Sequence, residues 1–304
     1  MSELMDIYER EAEEILAPGS TLEQLADGFL FTEGPVWDFA AEHLVFSDIP
    51  GDTMYRYRTG EGVSIYRKPS NFSNGITLDT QGRIVVCEHR TRRLAREVEP
   101  GRFETVADSY QGHPLNAPND VIIAPDGSIV FTDPHYGLGE GFGGPAEQAL
   151  PHRGVYRIPP DGDEPQLLVS DCEGPNGLAL SPSGDRLYVV DTEQSYIRAF
   201  DVDDHWRLSG GDVLVRLSGE GEGVPDGLKV DEEGTIYCTG PGGIFVCSPE
   251  GTVLGIIRIP EVAANLAWGD NDAQTLYITA SDKLYRLATQ RIGVVSHRPE
   301  GANQ

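Results

Sequence analysis

Six side chains that carry oxygen recur at the head of six similar stretches of this chain. They are Glu33, Asn74, Asn119, Asn176, Asp226 and Asn265. Two carboxylates and four carboxamides form a hard, all-oxygen donor set. Brought together, they suit Ca²⁺, Mg²⁺ or Mn²⁺ better than Zn²⁺, which prefers nitrogen and sulfur. Ca²⁺ is the expected ion, because it accepts irregular oxygen coordination completed by water; Mg²⁺, Mn²⁺ and Zn²⁺ are the alternatives. Whether six residues spread over more than 230 positions can meet depends on what each one opens.

Each opens a short apolar run, then a turn, then a second apolar run. Gly174-Pro175-Asn176-Gly177-Leu178-Ala179-Leu180 leads through Ser183-Gly184 to Leu187-Tyr188-Val189-Val190-Asp191. Asn74-Gly75-Ile76-Thr77-Leu78 leads through Gly82 to Ile84-Val85-Val86-Cys87-Glu88. Paired apolar runs around a Gly-containing turn read as β-hairpins. The leading residues are separated by 41, 45, 57, 50 and 39 residues. A strand-built period of roughly 40–50 residues is that of a β-propeller blade. The expectation is an all-β, six-bladed β-propeller with four-stranded antiparallel blades. Runs such as Met54-Tyr55-Arg56-Tyr57 and Lys283-Leu284-Tyr285-Arg286-Leu287 would supply the outer strands. Equivalent positions occupy equivalent places around the axis, so all six oxygen-bearing residues would form one ring at the channel mouth. Asn and Asp also start strands by capping turns, which explains any one position better than it explains six.

A chain of 304 residues matches one such domain. Residues 1–20 are expected to be a short acidic helical extension, a surface appendage or an oligomer contact, with the propeller spanning 21–304. Residues 22–31 approach the first blade and would add a strand that closes the ring. The formal charge of −26 argues against nucleic acid or an anionic membrane as partner. No 18-residue apolar run is present, and the first 16 residues lack the pattern of a secretory signal. Cytoplasmic location and a monomer or homodimer are expected. Cys87, Cys172, Cys238 and Cys247 lack metal-site spacing and read as reduced thiols.

Several motifs carry a resemblance. Phe31-Thr32-Glu33-Gly34-Pro35-Val36-Trp37, Cys87-Glu88-His89, Leu115-Asn116-Ala117-Pro118-Asn119-Asp120, Phe131-Thr132-Asp133-Pro134-His135-Tyr136 and Pro225-Asp226-Gly227-Leu228 occur in the order of the gluconolactonase branch of the SMP-30/gluconolactonase/LRE family. The chain resembles that branch from about residue 33 to 287. The resemblance implies a divalent cation in the channel and hydrolysis of a sugar-acid lactone. It places metal ligands at Glu33, Asn176 and Asp226, and a metal or substrate contact at Asn119. Asp226 is the candidate base for the attacking water, with activation by the cation as the alternative. Ala117 stands where the family's animal members have an arginine, so substrate contacts differ there.

The expected substrate-binding residues are Asn119, Asn74, His135 and Asn265, with His135 on a long Gly-rich loop over the mouth. His89 is expected to pack at a blade end, and His113 to lie in a loop. Asp133 and Asp191 either cap turns or hold a second, structural Ca²⁺. No Gly-x-Ser-x-Gly elbow or dinucleotide loop is present. Hydrolysis of another lactone or of an organophosphate ester in the same site is the alternative activity. A non-catalytic binding propeller is the third reading.

Overall fold

A computed structural model describes residues 4–295 apart from Asp161 and Asp163. The expected domain span of 21–304 therefore runs past the described residues at its C-terminal end. Six antiparallel sheets follow one another along the chain. Blade 1 comprises Thr32–Asp38, His43–Asp48, Thr53–Arg58 and Gly62–Arg67. The inner strands of blades 2 to 6 are Ser73–Leu78, Val121–Ile123, Pro175–Leu180, Leu228–Val230 and Ala263–Gly269. Each blade meanders outward from its inner strand, as hairpin connections dictate.

The N-terminus is woven into this scheme at two places. Glu23–Asp27 pairs with Lys283–Ala288 as the outer strand of blade 6, so the first and last parts of the chain share one sheet. Residues 1–20 depart from the expected helix. Met5–Ile7 is a strand added to the outer edge of blade 5, in register with Ile257, Ile256 and Gly255. Among the described residues of this stretch, Arg10–Glu14 alone is helical, as a 3₁₀ turn. The acidic composition favoured a helix, but the sheet edge offers backbone partners, and Met5, Ala12 and Ile15 are buried against blade 5.

Burial is organised between blades. Successive residues of a strand face opposite sides of its sheet, so alternate residues serve different neighbours. In blade 5, Ile236 and Cys238 pack towards blade 4, whereas Tyr237 packs towards blade 6. Six apolar clusters result among the described residues, one per interface between blades. The interface between blades 6 and 1 is sealed by Trp37 stacked on Tyr277, with ring centroids 5.0 Å apart. No helix among the described residues is long and apolar enough to cross a membrane. All four cysteines are buried and free.

The inner strands approach one another at backbone distance. Gly75 N–H donates to Asn119 O at 2.8 Å, and Gly177 N–H donates to Asp226 O at 3.0 Å. Buried hydroxyls make similar links: Ser47 Oγ donates to Asn74 O at 2.8 Å, and Thr239 Oγ1 to Ala264 O at 3.2 Å. A Cβ on Gly177 would stand 2.1 Å from Asp226 O, where neither backbone can yield. Gly177→Ala should therefore destabilise the fold by about 3 kcal/mol, as overpacking against rigid structure does. Gly219→Ala, whose Cβ would meet nothing nearer than 3.4 Å, should change stability by less than about 0.5 kcal/mol. Equal denaturant midpoints for the two variants would contradict this account.

Candidate active site

The six inner strands enclose a channel with a cavity at each end. Residues at the strand starts line one cavity of about 240 Å³. Residues further along the same strands, among them Val36, Ile76, Val121, Leu178, Val230 and Trp268, line an apolar cavity of about 400 Å³ at the other end. The mouth that gathers the oxygen-bearing side chains is the candidate site. It gathers Glu33, Asn74, Asn119, Asn176 and Asp226, five of the six residues of the expected ring. Asn265 stands just behind, donating Nδ2–H to Glu33 Oε2 at 3.0 Å. It orients the carboxylate and is not part of the cavity wall.

Asn176 and Asn74 are held by their N–H groups, which leaves their oxygens for the axis. Asn176 Nδ2 donates to Thr192 Oγ1 at 3.1 Å, and that hydroxyl donates onward to Pro225 O at 2.7 Å. Asn74 Nδ2 lies 3.3 Å from His89 Nε2, while His89 Nδ1 lies 2.7 Å from Phe142 O. A carbonyl only accepts, so Nδ1 carries the proton and Nε2 accepts from Asn74. Burial pushes the His89 pKa down to about 4, keeping the ring neutral and this tautomer in place. Glu33 Oε2 also accepts from Gly34 N–H at 2.6 Å.

The charge on this ring is poorly neutralised. Burial pushes the Glu33 pKa up to about 7, with nearby Asp120 adding to the rise. Burial, then repulsion from Glu33 and Asp120, holds Asp226 well above the carboxylate range. Asp120 is likewise raised by burial, and its Oδ2 is buried without a hydrogen-bond partner. Buried carboxylates in this condition call for a cation. Among the described residues no three His, Cys, Asp or Glu side chains are gathered as a metal cluster. A cation here would therefore rest on two carboxylates, Glu33 and Asp226, with amide oxygens from Asn119 and Asn176, which suits a hard ion and not zinc.

The structure relocates several expected residues. His89 lines the cavity instead of packing at a blade end. The loop after Asp133 is Gly-rich enough to lie directly on it: a Cβ at Gly137 or Gly143 would stand 2.4 or 2.9 Å from the His89 side chain. That loop brings Tyr136 and Phe142 over the mouth. His135 is not on the cavity wall; its Nε2 turns towards Glu193 at 3.8 Å, because the 3₁₀ turn Tyr136–Leu138 presents Tyr136 inward. His113 sits exposed on a two-residue hairpin. Asp191 accepts from Glu173 and Gly174 N–H at 2.8 and 2.9 Å, as a cap of the entering loop. Asp133 accepts from Asn116 N–H at 2.7 Å in the same role.

The residues not anticipated form a second ring. Ile49, His89 and Thr192 each follow the acidic end of a second strand, after Asp48, Glu88 and Asp191, and all three line the cavity. The repeat alignment that exposes the first ring contains this one too. Asp120 occupies the place that glycine fills in copies 1, 2, 4 and 5, at Gly34, Gly75, Gly177 and Gly227.

Comparisons with known proteins bear on the family and the fold. The profile of the SMP-30/Gluconolactonase/LRE-like region matches residues 31–282. A gluconolactonase of Zymomonas mobilis is 32% identical over 92% of this chain and 84% of its own. The solved structure of a gluconolactonase from Xanthomonas campestris is 35% identical, covers 94% of this chain and 95% of its own, and superposes with a TM-score of 0.89. A calcium-binding regucalcin from Agrobacterium tumefaciens, 18% identical over 91% of this chain and 96% of its own, shares the fold with a TM-score of 0.76.

The buried neutral His89 has a measurable signature. An unfolded histidine takes up a proton near pH 6.5, whereas this one resists until about 4. Stability is therefore present above pH 6.5 and lost as pH falls towards 4, by about 2 kcal/mol between pH 7 and pH 5. His89→Gln should flatten that part of the acid sensitivity in denaturant titrations at the two pH values. An unchanged pH dependence would mean that His89 is not held neutral.

Proposed function

The chain belongs to the SMP-30/Gluconolactonase/LRE-like family, and on that footing we propose that it is a divalent-cation-dependent hydrolase of sugar-acid lactones. The observation that carries this reading is the convergence of Glu33, Asn119, Asn176 and Asp226 on one small cavity whose remaining wall is largely apolar. Its volume of about 240 Å³ falls below the ~300–1,000 Å³ of pockets that hold drug-sized ligands, and suits a compact polar ring.

Glu33, Asn176, Asp226 and Asn119 are the residues that would hold the cation, with Ca²⁺ favoured by the all-oxygen donors. Bound there, the ion supplies Lewis-acid polarisation of the lactone carbonyl. The protein's own groups do the remainder. Asp226 is the most exposed of the three axial acids, since Glu33 and Asp120 are buried. It is the carboxylate placed to take a proton from the attacking water. Asn74 and Asn119 face the cavity as donors and acceptors for ring hydroxyls. Tyr136, Phe142 and Phe31 narrow the mouth, with Phe31 and Phe142 in edge contact at 5.8 Å, and so limit water around the ester. The four buried free thiols fit a reducing cytoplasm, where we place the enzyme.

Hydrolysis of glucono-1,5-lactone followed in a pH-stat tests the proposal, with the spontaneous opening rate subtracted. Chelation should abolish the enzymatic rate, and adding back Ca²⁺, Mg²⁺, Mn²⁺ or Zn²⁺ singly should identify the ions that restore it. Asp226→Asn should lower kcat at least ~100-fold, the scale of a lost general base. Metal-independent hydrolysis, or a fully active Asp226→Asn, would defeat the mechanism.

A further inference from the structure

Beneath the acidic ring lies one basic side chain that the mechanism does not use. Lys229 follows Asp226 by three residues on the inner strand of blade 5, Leu228–Val230. Its Nζ donates to Leu228 O at 3.0 Å and to Asn265 Oδ1 at 3.3 Å. Asn265 in turn donates to Glu33. The ammonium is thus tied through one amide to a carboxylate that the cation would share. Lys229 also lines the cavity at the far end of the channel, whose wall among the described residues is largely apolar, with the hydroxyls of Thr77, Thr80 and Ser181 and no acid. Its Nζ is joined to Glu33 through the single Asn265 amide, so its positive charge acts on the acids at the axis. The chain has only two other lysines, Lys68 and Lys283, and Lys283 pairs with Glu261 at the surface of blade 6.

The charges form a simple sum. Glu33, Asp120 and Asp226 carry three negative charges when ionised, and Lys229 returns one positive. The net charge of −2 is balanced by one divalent ion.

We propose that Lys229 is an internal counter-ion that holds the axial acids together before the cation arrives and sets the charge of the site to match a single divalent ion. It is a positioning residue, because it reaches the site through Asn265 and through its field. The inference rests on the cation-dependent reading above. An ammonium fixed beneath the cation's ligands, one amide away from Glu33, opposes the cation through its charge, so its presence weakens metal binding while stabilising the metal-free protein. Those two effects have opposite signs, which a purely structural role cannot produce.

The experiment is calorimetric titration of the purified full chain with Ca²⁺ alone, together with thermal unfolding in chelator and in saturating Ca²⁺. Lys229→Met should bind Ca²⁺ about tenfold more tightly than the wild type and should melt at a lower temperature without the metal. Most of that loss should be recovered in saturating Ca²⁺. Lys229→Arg should keep the wild-type Kd. Pairing Lys229→Met with Asp120→Asn restores the charge of the ring and should return the Kd towards the wild-type value. A Kd in Lys229→Met that is unchanged or weaker, or a double variant that stays tight, would overturn the proposal. Should Lys229→Met fold only with Ca²⁺ present, the metal-free role stands, and the double variant must then fold without the metal or the role is refuted. A wild-type chain that binds no divalent cation would instead remove the cation-dependent reading, and this inference with it.

Discussion

The contact between neighbouring inner strands governs this molecule. Where Gly75 meets Asn119 and Gly177 meets Asp226, backbone touches backbone with no Cβ between. That proximity makes the channel narrow, and a narrow channel forces the residue before each glycine towards the axis. It also excludes the water that would otherwise screen carboxylates from one another. The fold and the electrostatics of the site therefore have one origin. A propeller with wider spacing would have room for side chains along its axis, but its acids would be solvated and ordinary.

The ring is asymmetric in a way that serves binding. Asn265, Asn176 and Asn74 have their N–H groups committed to Glu33, Thr192 and His89. Each partner sits on a strand or strand end, so the amides are oriented by rigid elements. Negative charge is concentrated at Glu33, Asp120 and Asp226, while the lone ammonium enters from below. The loop bearing Tyr136 and Phe142 is fastened to the same framework through His89 and Phe142 O. The group that orients Asn74 thus also holds the cover of the mouth.

Much of this was legible in the sequence, because a repeat announces itself by period. Six leading residues at intervals near 40–50 implied six blades, and five of those residues meet in the cavity. What escaped notice depended on context outside the repeat's first position. The acidic stretch before Pro18 has helical composition, yet the exposed edge of blade 5 recruited Met5–Ile7 as a strand. His89 looked peripheral because its role depends on a loop 50 residues later. Asp120 stands where four of the six copies have glycine, a visible departure whose meaning requires the neighbouring blades. Lys229 sits in the interior of a strand, where sequence alone cannot separate a surface lysine from one pointing down a channel.

The pairing of Glu23–Asp27 with Lys283–Ala288 also constrains how the molecule comes into being. The strand that completes blade 6 precedes blade 1 in the sequence, and its partner lies in the last blade. Until blade 6 forms, Glu23–Asp27 lacks its partner strand and blades 1 and 5 each lack a neighbour. Five nascent blades must wait as an open arc, exposing the apolar flanks that Trp37 and Tyr277 later cover. The closing step joins residues more than 250 positions apart, the kind of distant contact that slows folding and leaves unpaired edges open to association. A circle sealed by its own two ends gains cooperativity once complete, and is most vulnerable during the interval before it closes.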